Sequence, residues 1–177
     1  HRDNDMGKLA ALWCPGDIGG VNIDGPAAAD PESGILYVTS RKHCSSRIIA
    51  PGSERDKLIK EPTGSTITDY AVLRSSSVQL PDGLPLFKPP YSRITAIDMG
   101  TGEHLWWVPV GETPKKVLDH PAVKGKDIGN TGSGTVAQMV VTPTLLMYTD
   151  VASDGTPHLF AIDKTSGQSV GKVEIEE

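Results

Sequence analysis

Apolar and polar positions alternate most regularly from Ile94 to Val110, where Ile94, Ala96 and Asp98 fall on one phase and Thr95 and Ile97 on the other. Asp98 to Gly102 supplies turn chemistry and Leu105 to Val110 is a second β-rich run, so the stretch reads as a complete hairpin. The same grammar returns between His158 and Ile175, where Ala161-Ile-Asp163-Lys-Thr-Ser-Gly167 repeats Ala96-Ile-Asp98-Met-Gly-Thr-Gly102 at an offset of 65 residues. A strand-turn-strand unit repeating at that period is the mark of a propeller or a similar array.

The remaining pattern supplies partners for these hairpins. Cys14 to Pro26 is a glycine-rich loop leading into a strand, and Ala27 to Ser40 is a strand, an Asp-Pro-x-Ser-Gly turn and a second strand. Arg41 to Pro90 is long, polar and irregular, an excursion from one end of the fold. Gly111 to Gly134 is a polar connector, with a helical turn within Thr113 to His120. Gln138 to Thr142 pairs with Leu145 to Thr149 around Pro143-Thr144, and Leu159 to Asp163 pairs with Ser169 to Ile175. The expected fold is all-β, two four-stranded antiparallel blades of one β-propeller domain. One blade covers about 26–110 with an irregular insertion at 41–90, and the other about 135–177. Two blades leave edges exposed and cannot close a ring, which needs about four to eight. The 177 residues are therefore expected to be a piece of a larger chain, or to assemble.

Composition agrees with a turn-rich β protein: 19 Gly and 14 Pro interrupt helices and punctuate strands. A net charge of −5 with scattered basic residues lacks the footprint of a nucleic-acid binder. No apolar run approaches the roughly 20 residues needed to span a bilayer as a helix. The five histidines show no metal-ligand spacing, and Cys14 and Cys44, the only cysteines, form no C-x-x-C pair, which argues against a zinc site. Their separation leaves two readings open, a disulfide in an oxidising compartment or two separate thiols. Asp98 and Asp163 precede turn glycines in identical frames and read as turn formers, not as an acid/base pair.

The segment Ala96-Ile-Asp98-Met-Gly-Thr-Gly102-Glu-His-Leu-Trp106 resembles the tryptophan-docking motif of the quinoprotein alcohol and glucose dehydrogenases, the propellers that bind pyrroloquinoline quinone (PQQ). The second copy has Gly171 where Trp106 stands and so loses its docking indole. Gly19-Gly-Val-Asn22, Asp30-Pro-Glu-Ser-Gly34-Ile-Leu-Tyr-Val and Pro89-Pro-Tyr-Ser-Arg-Ile-Thr-Ala-Ile-Asp98 resemble further family segments in the same order. Ile23 replaces the tryptophan that often follows the asparagine. The resemblance implies a C-terminal part of an eight-bladed propeller of a periplasmic dehydrogenase. Such an enzyme oxidises an alcohol or sugar with PQQ and Ca²⁺ and passes electrons to ubiquinone or a c-type cytochrome.

It further implies that Asn22 contacts the quinone's polar edge, an amide being able to donate and accept at once. The start of an inner strand at Val136-Ala137-Gln138 points Ala137 and Gln138 at the same axis. The family's catalytic aspartate and calcium ligands lie in segments N-terminal to those matched here, so no residue of this chain inherits those roles, and the chain alone is expected to be inactive. The competing expectation is a non-enzymatic propeller that shares the repeat and serves as a scaffold or binding module.

Overall fold

The computed structural model describes residues 11–15, 19–21, 25, 27–54 and 68–176. Its strands are β1 (Ala11–Trp13), β2 (Ala28–Asp30), β3 (Ile35–Arg41), β4 (Ser45–Pro51), β5 (Tyr70–Ser77), β6 (Ser92–Asp98), β7 (His104–Pro109), β8 (Gln138–Val141), β9 (Leu145–Val151), β10 (Pro157–Asp163) and β11 (Ser169–Glu174). A 3-10 turn at Gly52–Glu54 and one helical turn, Lys115–Leu118, are the described helical pieces. The strands form two four-stranded sheets, β2-β3-β6-β7 and β8-β9-β10-β11, and a three-stranded sheet, β1-β4-β5. All pairings are antiparallel.

The two repeated hairpins superpose in register. Ile94 pairs with Val108 and Ala96 with Trp106, the latter pair followed by a bulge. Sixty-five residues on, Leu159 pairs with Val173 and Ala161 with Gly171, again before a bulge. The turns close as the aspartates require. Asp98 Oδ1 accepts the backbone N–H groups of Gly100 at 2.7 Å and Thr101 at 3.0 Å. Asp163 Oδ1 does the same for Thr165 and Ser166 at 3.1 and 2.8 Å. Each carboxylate thus satisfies turn donors that a strand partner cannot reach.

The four-stranded sheets pack face to face. Tyr37, Ile94 and Ala96 of one sheet and Leu146, Tyr148, Phe160 and Ile162 of the other form the core with Val110 and Ala137. Trp106 projects from β7 toward the opposite sheet. A Cβ built on Gly167 would lie 2.8 and 2.9 Å from two atoms of its ring. Gly167 also has a φ of 73°, so both the turn and the close approach require glycine. Tyr37 flanks the same indole with ring centroids 5.7 Å apart. The docking expected of Trp106 is therefore present across this junction.

One expectation changes. The excursion at 41–90 is not wholly irregular: β4 and β5 pair within it over seven partners, and β1 adds a third strand. Ser45, Ser46, Ser75, Ser76 and Ser77 occupy the paired stretch, so no alternation marks it. Backbone ladders, which need no apolar side chain, hold it together. Cys14 and Cys44 are joined by a disulfide that ties β1 to the start of β4.

Candidate functional site

Antiparallel order gives the paired sheets two distinct ends. Turns 31–34, 99–103, 142–144 and 164–168 lie at one, and the excursion, the 110–137 connector and the starts of the inner strands β2 and β8 lie at the other. Long irregular segments and inner-strand starts therefore share one corner, the arrangement that collects binding residues on a rigid scaffold.

Backbone contacts fasten that corner. Gly20 N–H donates to the Arg41 carbonyl at 2.7 Å and Arg41 N–H returns a bond to Gly20 at 3.0 Å. Lys42 N–H donates to the Tyr91 carbonyl, and Tyr91 N–H to that of Thr131, each at 2.7 Å. A continuous belt thus runs from the glycine-rich loop through both ends of the excursion to the connector. Gly25 sits tighter still. Its carbonyl accepts Thr39 Oγ1 at 3.1 Å, and a Cβ there would lie 2.3 Å from Thr39 Oγ1 and 2.6 Å from Val136 Cβ. The approach to β2 and the approach to β8 are thereby in direct contact.

Of the three residues expected to face a cofactor, Asn22 lies outside the described residues. Ala137 is fully buried, with its methyl in the core between the sheets, so it offers a ligand its backbone. Gln138, the first residue of β8, is exposed and pairs with Thr149 on the face turned away from the first sheet. Near it Asp150 Oδ2 accepts Ser133 Oγ at 2.8 Å and Thr135 Oγ1 at 2.7 Å, which pins the connector to β9. Among the described residues no group of three or more His, Cys, Asp or Glu could hold a metal ion.

The strongest charged contacts stand elsewhere. At the turn end Lys164 Nζ donates to Asp30 Oδ2 at 2.6 Å, with side chains 12% and 5% exposed, and Tyr37 donates its hydroxyl to the Lys164 carbonyl at 3.1 Å. Lys164, then Ser33 Oγ at 2.6 Å, hold the Asp30 carboxyl down to about 2. At the loop end Lys172 of β11 pairs with Glu112 of the connector and lowers its pKa, and the Ser153 hydroxyl and N–H also donate to Glu112. Burial pushes the Tyr148 phenol up to about 12, against a hydrogen bond from the Gly111 backbone. These groups latch one sheet to the other. Asp30 was legible only as a turn former, because a partner 134 residues away leaves no local trace.

Two clefts accompany these contacts. One of about 460 Å³ opens between the outer strands, walled by Val108, Phe160, Ile162 and Lys172, away from the inner edge. A smaller one of about 150 Å³ lies beside Cys44 at the loop end, among Lys42, His43, Tyr91 and Lys116.

The family profile described as "PQQ: Glucose/ethanol/alcohol dehydrogenase, beta-propeller domain" matches residues 5–177. Among solved structures, a europium-containing methanol dehydrogenase is similar with a TM-score of 0.56 at 16% identity, over 98% of this chain and 24% of that one. The quinohemoprotein alcohol dehydrogenase ADHIIG from Pseudomonas putida HK5 is similar with a TM-score of 0.50 at 13% identity, over 96% of this chain and 20% of that one. At these identities the likeness is one of fold. The chain spans about a quarter or less of the length of these structures. No curated protein matches it in sequence.

Proposed function

Because the chain belongs to the PQQ glucose/ethanol/alcohol dehydrogenase β-propeller family, we propose that it is one wall of the quinone site of a periplasmic dehydrogenase that oxidises an alcohol or sugar. The observation that carries this reading is the corner where Gly25 meets Val136, which brings the glycine-rich loop and the start of β8 together beside the inner strands. The residues there fit a partial site. Gly19, Gly20 and Gly25 let backbone approach closely, and Gln138 is the exposed amide side chain at the start of β8.

When bound, the quinone supplies the redox chemistry, accepting the equivalent of a hydride from the substrate carbon. What this chain contributes is shape and hydrogen bonding. Asn22 and Gln138 orient the group through amide contacts, the Ala137 backbone borders it, and the apolar core behind Ala137 excludes water from that side. The base that takes the substrate's hydroxyl proton and the ligands of Ca²⁺ are assigned to other parts of a longer protein, while the similar methanol dehydrogenase is named for europium. Ubiquinone or a c-type cytochrome is the proposed electron acceptor.

Titration of the complete protein with PQQ and Ca²⁺, followed by quenching of tryptophan fluorescence, tests this. Saturable binding at micromolar cofactor, weakened in Asn22→Ala and Gln138→Ala, is expected. No binding by the intact protein would overturn the reading and favour a scaffold role for the propeller.

A further inference from the structure

The cleft of about 150 Å³ at the loop end is walled by three stretches of chain. They are the departure of the excursion at 42–44, its return at 77–79 and 85–87, and the connector at 114–117 and 133–134. Each wall is tied to another. Val78 N–H donates to the Cys44 carbonyl at 3.0 Å, and Cys44 is bonded to Cys14. Ala122 N–H donates to His120 Nδ1 at 3.2 Å, which leaves Nε2 to donate to the Asp82 carbonyl at 3.2 Å and so fastens the return leg to the connector. Walls fixed before a ligand arrives lower the cost of binding one.

The lining is apolar where it is buried and carries charge of one sign. Tyr91 and Val117 are 8% and 2% exposed, and Pro85, Leu86 and Phe87 add apolar contact. Lys42, His43 and Lys116 are its basic side chains, and no Asp or Glu belongs to it, although the chain as a whole has 22 acidic residues against 17 Lys and Arg. One carboxylate, that of Asp150, touches the lining through Ser133 Oγ at 2.8 Å, and Thr135 Oγ1 shares it. Lys42 Nζ spends one of its three donors on the Lys88 carbonyl at 2.8 Å, which holds the ammonium in place and leaves two donors over. The Lys116 side chain has no hydrogen bond or ion pair among the described residues. Like charges gathered at a concave apolar surface focus a positive potential that an anion relieves.

We propose that this cleft is a binding site for small organic carboxylates with an apolar body. A cavity of about 150 Å³ holds a benzene-sized group. That group lies against Tyr91, Val117 and Leu86, and the carboxylate accepts hydrogen bonds from Lys42 and Lys116. The mixed lining selects the class: inorganic phosphate would leave the apolar wall unused, and a neutral molecule would leave the ammonium groups unpaired. The cleft stands beside the corner described above, since Lys42 follows the Arg41 that bonds Gly20. The inference does not depend on quinone binding.

Titration calorimetry of the complete protein with benzoate, and with benzamide as its uncharged counterpart, tests the site. Benzoate should bind saturably and roughly tenfold more tightly than benzamide, because the charge-assisted hydrogen bonds go with the charge. Lys116→Gln should weaken benzoate roughly fivefold and leave benzamide unchanged, whereas Lys115→Gln, next to it but outside the lining, should change neither. Lys116 is exposed, so its variant should keep the parent's melting midpoint. Equal affinity for the two probes would overturn the carboxylate assignment. Equal weakening by Lys115→Gln and Lys116→Gln would overturn the site, by assigning benzoate to the general field of the protein, and so would the absence of saturable benzoate binding. Benzoate binding by a protein that takes up no PQQ would sink the proposed function and leave this inference standing, while PQQ uptake without benzoate binding would do the reverse.

Discussion

The paired four-stranded sheets and the three-stranded sheet of the excursion use the same antiparallel ladder but are stabilised differently. The paired sheets bury Tyr37, Ile94, Ala96 and Leu146 completely between them, so side-chain interdigitation carries their stability. In the three-stranded sheet Ser45 and Ala50 of the central strand are buried, but large apolar side chains beside it are open. Leu12, Trp13, Tyr70 and Val72 are 63%, 49%, 70% and 49% exposed, and a disulfide joins its edge strand to its centre. Packing fixes the scaffold, whereas a covalent bond and backbone ladders secure what hangs from it.

The largest expected effect breaks the packed side. Trp106→Ala removes the indole seated on Gly167 and should cost about 3 kcal/mol, a fall in melting midpoint of roughly 6–12 °C for a chain of this size. Gly167→Ala attacks the same contact from the other sheet. It should cost about 2 kcal/mol, from the close approach and from the positive φ. Combined with Trp106→Ala it should cost less than the sum of the two, a non-additivity readable in a double-mutant cycle.

Breaking the disulfide sharpens the contrast. Reduction, or Cys14→Ser with Cys44→Ser, should loosen β1 and β4 by about 2 kcal/mol. Amide exchange would speed there and stay unchanged in β6, β9 and β10; a uniform rise through the paired sheets would unite the two regions and refute the distinction. A smaller loss is gated by pH. The Asp30 carboxyl is lowered from 3.8 to about 2, so its stabilisation is fully present above 3.8 and fades as pH falls through about 2. Asp30→Asn should therefore melt lower than the parent at neutral pH, and the gap should close across that window. The smallest effect is local: Asp98→Ala, which removes two hydrogen bonds to turn N–H groups, should cost about 1 kcal/mol in thermal melts.

The same contrast explains what was legible in the sequence. The hairpins around Asp98 and Asp163 announce themselves because one face is buried, so alternation, turn residues and the 65-residue offset agree. The indole at Trp106 could be assigned a docking role because its segment resembles a family motif, whereas its seat on Gly167 appears only in the structure. Strands β4 and β5 leave no such trace, since a run of serines at Ser45, Ser46, Ser75, Ser76 and Ser77 carries no apolar alternation. The Cys14–Cys44 bond depended on a distance that spacing does not supply. At the candidate site, the glycine-rich loop and the start of β8 were both marked, but not the Gly25–Val136 contact that joins them. Ala137, expected at the axis from its place at the start of β8, has its methyl in the core between the sheets.

Arg41 and Ser92, the residues from which the excursion departs and to which it returns, are cross-strand partners in the β3–β6 ladder. The chain therefore leaves the sheet and rejoins it at adjacent positions, as the short Ala152–Thr156 link does between β9 and β10. Residues 42–91 are thus a graft on a closed stem. Changes of length within them leave the register of the ladder beneath untouched, provided the Cys14–Cys44 bond and the Tyr91 bond to Thr131 are kept.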